Sequence, residues 1–370
     1  MHERVCQIAL ALTTGIGPVR ARSLVARFGT AENIFRTPRK ELARVPDVGP
    51  ASAAALADKH LMTRAEAEFR FAEEAQLSLI FLNEPAYPDR LRLCADAPVL
   101  LYTRGRMDLN STRIISIVGT RTATSYGKQF CEELVAAVAP YSPLVVSGLA
   151  YGIDICAHRA CISRKVATVA CMAHGHDRIY PMMHASVAQK MMERGGLVTE
   201  FPSGTRPDRE LFPMRNRIIA GMSDCTVVVE TDERGGSMIT AHFAHGYGRE
   251  VYALPGRYHD LHSRGCNQLI RRNVAGILTR PEDLVDELGW TAPADKAGNQ
   301  VSLFDSPATP EEKALIAALR IHGEAHLDDI VLASGLGSGA ACAALLDLEF
   351  RGIIRTLPGK RFTLQTKGHR

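Results

Sequence analysis

Residues 114–138 read IISIVGTRTATSYGKQFCEELVAAV. An apolar run ends at Gly119, a polar turn carries Thr120, Arg121, Thr122 and Thr124, and a helical pattern opens near Ser125. A strand covered on both faces is near-continuously apolar, so the stretch reads as buried strand, exposed turn and helix. The same texture recurs in LSLIFL, PVLLYT, PLVVSG, KVATVAC, GLVTE, CTVVVE and REVYALPG. Strands alternating with helical stretches predict βαβ units and an α/β fold with a parallel sheet. Right-handed crossovers then line the strand-to-helix turns along one edge, where open α/β sheets bind ligands.

Four of those turns carry chemistry. In the first, Gly119, Thr120 and Arg121 combine small residues, backbone N–H groups before a helix and a planar guanidinium suited to phosphate. The stretch contains neither GxGxxG nor GxxxxGK[ST], so dinucleotide and P-loop readings lose their usual support. The second, PLVVSGLAYGIDICAHRACI (143–162), sets Ser147, Gly148, Leu149, Ala150 and Gly152 before a helix. Its glycines allow close backbone approach to a ligand. Asp154 is expected to cap or hold that turn, and His158 to sit on the helix surface. The third, SGTRPDRELFPMRNRIIAG (203–221), gathers Arg206, Arg209, Arg215 and Arg217 around Asn216. Residues two apart do not share a helix face, so Arg215 and Arg217 are expected to do different jobs, one toward ligand and one toward an internal carboxylate. In the fourth, Gly235, Gly236 and Ser237 open a further helix after a strand ending at Glu230. Together these turns favour a phosphate-bearing ligand, without a general base or nucleophile beside them.

The flanks differ in texture. Residues 1–75 read as helices broken by Gly and Pro. LTTGIGPVRARSLVARFG (12–29) and ARVPDVGPASAAALA (43–57) each open an alanine-containing helix with Gly-Pro. Both a DNA-facing pair of helix-hairpin-helix elements and two ordinary hairpins packed together fit this pattern. Residues 291–310 have linker composition. Residues 311–370 read helix, helix, helix and two short strands, the order of a winged helix. Its second hairpin helix, from Ser338, carries no Lys or Arg before Arg351, which favours packing or a protein partner over base readout.

The 370 residues carry 44 Lys and Arg against 40 Asp and Glu. A formal charge of +4 means that any nucleic-acid surface must come from local clustering. Nine cysteines without a CxxC pair point away from a disulfide framework and toward a reducing cytoplasm. No apolar run approaches the ~20 residues that span a bilayer, and no membrane association is expected. CMAHGH (171–176) clusters Cys171, His174 and His176, but such a short group is weak support for metal. Neither metal nor cofactor is expected.

IVGTRTATSYG, VVSGLAYGIDICAH, IYP, TEFPSGTRP, FPMRNRIIAG, GGSMITA, REVYALPG and SRGCNQLI, in that order over about 114–270, resemble the DprA/Smf family of DNA-processing proteins. The resemblance implies an extended Rossmann-like sheet over 76–290, flanked by a helix-hairpin-helix or SAM-like domain over 1–75 and a winged helix over 311–370. It implies a single-stranded DNA binder, weaker on duplex, which protects incoming DNA and loads the RecA recombinase during natural transformation, without catalytic turnover. Phosphate contacts are implied for Arg121 and Arg209, with Ser147, Gly148, Arg215, Asn216 and Arg217 completing the pocket. A homodimer contact is implied near 265–278, involving Asn267, Ile270 and Ile277. The chain departs from the family pattern at Met182, Met183 and His184, where polar residues and an asparagine are usual, and at Gly235, where serine is usual. The rival reading is a nucleotide-binding phosphoribohydrolase of the lysine-decarboxylase-like class. RGGSMITAHFA keeps that class's glycines but lacks its Gly-Thr step and its glutamate.

Overall fold

All eight apolar runs become strands in the computed structural model, which describes residues 2–46, 48–291, 309–350, 353–357 and 360–364. They are β1 (Ser78–Phe81), β2 (Leu100–Gly105), β3 (Ile114–Val118), β4 (Leu144–Ser147), β5 (Ala167–Cys171), β6 (Gly195–Thr199), β7 (Cys225–Val228) and β8 (Glu250–Ala253). A ninth, β9 (Gly276–Ile277), is too short to show any periodicity in sequence. Among the described residues they form one sheet in the order β1-β2-β6-β5-β4-β3-β7-β8-β9. Every pair from β6 across to β9 is parallel, whereas β2 runs against both β1 and β6. The sheet thus has the expected parallel core, with an antiparallel edge at β1 and β2. The link between β1 and β2 holds only the four-residue helix Asp89–Arg92, too little to build a crossover.

Alternation along each strand divides the core between two faces. Ile114 and Val118 point into one buried cluster, Ile115 and Ile117 into the other. The chain leaves β3 outward through β4, β5 and β6, then returns to place β7 on its other side. The strand order therefore reverses between β3 and β7, and a crevice opens beyond their carboxyl ends.

The chain divides into two compact units, Met1–Pro293 and Ala294–Arg370. In the first, the N-terminal helices share the core of the sheet. Ile8, Leu10 and Leu24 belong to the same buried cluster as Phe81, Leu101 and Tyr102. Both Gly-Pro steps open helices: Gly17 caps Pro18–Phe28, and Gly49–Leu56 holds Pro50 in its first turn. The helix Lys59–Glu74 is latched to the segment after β6 through Glu68. Its buried carboxylate accepts from the Ser203 amide at 2.8 Å and the Ser203 hydroxyl at 2.5 Å, and it pairs with Arg64. Glu68→Ala is expected to lower stability by about 1.5–3 kcal/mol, the range of a charged hydrogen-bonded group, and to raise amide exchange around Ser203. Unchanged exchange there would show the latch to be idle.

The second unit has its own core of Leu315, Leu319, Ile330, Leu345, Leu348 and Ile354. Helices Pro310–His322, Leu327–Ser334 and Ser338–Phe350 pack with β10 (Glu324–His326), β11 (Ile354–Leu357) and β12 (Arg361–Leu364), in sheet order β10-β12-β11. This is the winged-helix order with one strand more than expected. Most of the linker, 292–308, lies outside the described residues. Among the described residues no single helix is long and apolar enough to cross a membrane. Trp290, the chain's one tryptophan, closes the first unit. The Arg113 guanidinium lies 5.6 Å from its ring centroid, and the Tyr141 ring 5.8 Å.

Candidate nucleic-acid interface

A cleft of about 1090 Å³ lies beyond β3 and β7, bounded by all four turns. Its lining holds six arginines (Arg121, Arg178, Arg206, Arg209, Arg215 and Arg234) against two aspartates, Asp154 and Asp232. In a chain with so small a net charge, that imbalance marks the cleft as a site for an anion.

The first turn supplies side chains rather than amides. Glu230, buried at the end of β7, accepts from the Thr124 amide at 2.9 Å and from the Thr124 hydroxyl. The N-terminus of the helix Ser125–Val138 is thus already occupied by a carboxylate from inside the protein. The Thr120 amide is taken up by the Glu230 carbonyl. The Glu230 carboxylate competes with a ligand for this helix start, although the Ser125 and Tyr126 amides have no partner among the described residues. Gly119 lies where a side chain would strike Ile153. Thr120 and Arg121 line the cleft.

The second turn is built around Arg215. This residue is 3% exposed, and its guanidinium donates to the Gly148 carbonyl at 2.6 Å and to the Cys171 carbonyl. A Cβ on Gly148 would run into that guanidinium, so the glycine makes room for Arg215 and not for ligand. Leu149 is buried in the left-handed region at φ 58°, its carbonyl 2.8 Å from His184 Nδ1. Ser147 donates to the Ile117 carbonyl at 2.6 Å. Gly152, at φ +76°, packs against the Thr120 carbonyl and the Arg121 backbone, seating this turn on the first. Asp154 faces Arg215. Burial pushes its carboxyl above the usual range, opposed by the Arg215 charge, the Ala150 and Gly148 amides and the Ser147 hydroxyl. Of this turn, Ala150 and Asp154 reach the cleft. His158 is not on the helix surface as expected. It is fully buried against the sheet, 2.7 Å from the Thr168 hydroxyl, and burial pushes its imidazole down to about 3.

The helix Leu211–Met222 gives its two arginines separate jobs. Arg217 turns away from the cleft, donating to the Asp96 carbonyl and pairing with the Glu200 carboxylate. It is absent from the cleft lining. Arg215 lines the cleft floor while braced from within. Asn216 accepts from Arg215 Nε at 3.2 Å and donates to the Gly236 carbonyl at 3.2 Å, tying this helix to the fourth turn.

That fourth turn is the open one. Gly235 donates to the Asp232 carbonyl and accepts from Met238. The amides of Gly236 and Ser237, first in the helix Gly236–Gly246, have no partner among the described residues. The Ser237 hydroxyl is likewise unpartnered although the residue is only 7% exposed. Three donors at a helix N-terminus thus face a cleft rimmed by arginines.

Aromatic rings complete the surface. Arg121 lies 4.8 Å from the Phe212 ring centroid and Arg215 5.9 Å, with the Tyr180 ring at 6.2 Å. Tyr180, Arg178 and Arg234 were not singled out from the sequence. Arg234 had a visible signal, since it directly precedes the glycines of an amide-rich helix start. Tyr180 and Arg178 reach the cleft from a loop after β5; the IYP motif marks the place without assigning a contact to it. Cys171, His174 and His176 do not converge: His174 bonds Gly175 and the Tyr180 amide, and His176 the Tyr102 carbonyl. Among the described residues no group of three such side chains could hold a metal ion.

At the far edge, Asn267 bonds its own chain through both Gly256 backbone groups, at 2.9 and 3.2 Å. Ile270 packs at the margin of the core, and Ile277 on β9 is 56% exposed.

Residues 78–289 match the family described as DNA recombination-mediator protein A. Residues 305–360 match the DprA winged helix domain, and residues 10–59 the SAM-like helix-hairpin-helix tandem. The DNA processing protein DprA of Bacillus subtilis is 39% identical over 216 residues, covering 58% of this chain and 72% of that protein. The crystal structure of DprA from Streptococcus pneumoniae superposes with a TM-score of 0.63 at 25% identity, over 78% of this chain and 98% of that one. A Helicobacter pylori DprA structure, described for its single-stranded DNA binding mode, gives a TM-score of 0.53 at 28% identity over 58% of this chain and 95% of that one. The family is described as one of recombination mediators, which favours that reading over the phosphoribohydrolase one. The chain belongs to the DNA recombination-mediator protein A family, the DprA/Smf proteins.

Proposed function

We propose that the cleft holds a segment of single-stranded DNA, with phosphates on Arg121, Arg209 and the Gly236–Ser237 helix start and a base against Phe212 and Tyr180. The observation that carries this reading is the meeting of unpartnered donors at Gly236 and Ser237 with six arginines around an aromatic pair. Amides and guanidinium groups suit phosphate. Unstacked bases suit aromatic rings and guanidinium planes, which single strands offer and duplexes withhold. The likeness to the Helicobacter pylori protein supports the same ligand. Arg215, Ser147, Gly148, Leu149 and Gly152 shape the wall, and Arg217 braces the helix from behind. We further infer that the chain works in the cytoplasm as a homodimer through the 265–278 edge, with Ile277 exposed there, and loads RecA onto incoming strands during transformation.

Fluorescence anisotropy with labelled single-stranded and duplex oligonucleotides across a salt series tests the ligand. Tighter binding of the single strand is expected, with log K falling linearly in log salt. Arg121→Ala and Arg209→Ala are each expected to weaken binding about tenfold, the size of one charge-assisted hydrogen bond. Each should also flatten the salt slope by about 0.7. Equal affinity for duplex, or variants that bind like wild type, would overturn the assignment.

A further inference from the structure

A second groove of about 410 Å³ lies beside the cleft, across the first turn, and shares Arg121 with it. It runs between the helices Ser125–Val138 and Ile153–Ser163 and is lined by Lys128 and Arg159, one from each. Both cations are exposed, and among the described residues neither forms an ion pair. The groove's single carboxylate is Glu132, which accepts from the Cys156 thiol at 3.9 Å. Three cations against one anion leave the groove positive, although Glu230 sets a carboxylate beside the nearby helix start.

The groove also has an apolar lip. Tyr151 is 41% exposed and Met183 66% exposed, and both line the groove. The Tyr151 ring is held edge-on to the buried His184 at 5.1 Å. A ring fixed at the mouth of a cationic groove is a platform for a base, whereas the neighbouring charges suit the backbone that carries it. We propose that this groove takes the next nucleotides of the same single strand that occupies the cleft, with Arg121 as the post around which the strand passes. Continuity through Arg121 selects this occupant: a separate anion would not need to share that residue. The inference rests on the cleft reading above.

Labelled oligo(dT) of about 4 and about 16 nucleotides, measured by anisotropy on the full chain, separates the two. Wild type is expected to bind the longer strand more tightly. The double variant Lys128→Glu, Arg159→Glu is expected to lose that gain while binding the shorter strand as wild type does. Its salt slope on the longer strand should fall by about 1.4, for two phosphate contacts. Tyr151→Ala should weaken the longer strand about fivefold or more, the size of one lost stacking contact. Circular dichroism confirms that the variants, all at exposed positions, keep the fold. A double variant that retains wild-type affinity and slope on the longer strand overturns the groove and leaves the cleft standing. Equal wild-type affinity for both lengths does the same. Wild type binding neither length overturns the cleft reading and this inference with it.

Discussion

Arg215→Ala is expected to destabilise the first unit by about 3–5 kcal/mol, as removal of one partner from a buried charge pair does. The arginine donates to the Gly148 and Cys171 carbonyls and faces Asp154, all of them buried. Alanine leaves those carbonyls without their donor and Asp154 without its counter-charge. The effect has a pH signature. Asp154 already has its carboxyl raised from the ordinary 3.8 by burial, and the loss of Arg215 raises it further. A raised carboxyl binds its proton more readily folded than unfolded, so its contribution to stability is lost as pH rises through the folded value. The deficit of Arg215→Ala should therefore shrink as pH falls from about 7.5 toward about 5. Urea unfolding at several pH values checks this. A deficit below about 1 kcal/mol, or one that does not change with pH, would show that the pair is not the brace described.

The second large effect is expected at Gly152. At φ +76° an L-residue is strained by about 1–2 kcal/mol. A Cβ there would also press on the Thr120 carbonyl and the Arg121 backbone, and overpacking adds about 1–3 kcal/mol. Main-chain atoms cannot rotate aside as a side chain can, so the first turn itself must shift, taking Arg121 with it. Gly152→Ala should thus lose both stability and single-strand affinity, whereas Arg121→Ala loses affinity alone. Near-wild-type affinity in a folded Gly152→Ala protein would separate the two turns and refute their coupling.

The parts that could be read from sequence were those with local causes. Buried strands announce themselves as β-branched runs, and their alternation with helices placed the four turns on one edge. What stayed hidden depended on distant partners. Thr124 and Glu230 are 106 residues apart, so nothing near Ser125 shows that a carboxylate sits at its helix start. The spacing of Arg215 and Arg217 implied different roles, but which of them faced the cleft depended on Glu200 and on the slot at Gly148. His158 looked like a surface residue because a short helix with a weak apolar stripe does not reveal which side the sheet covers. The reversal of β2 turned on the length of a connection rather than on any residue in the strand.

Trp290 sits beside Arg113 and Tyr141, at the amino ends of β3 and β4. The cleft opens at the carboxyl end of β3, five residues away along the strand, or about 17 Å. The protein therefore carries an optical gauge on the opposite rim from the cleft. Its emission is expected to follow opening of the sheet and to ignore a base placed in the cleft, so folding and occupancy can be followed in one cuvette at separate wavelengths.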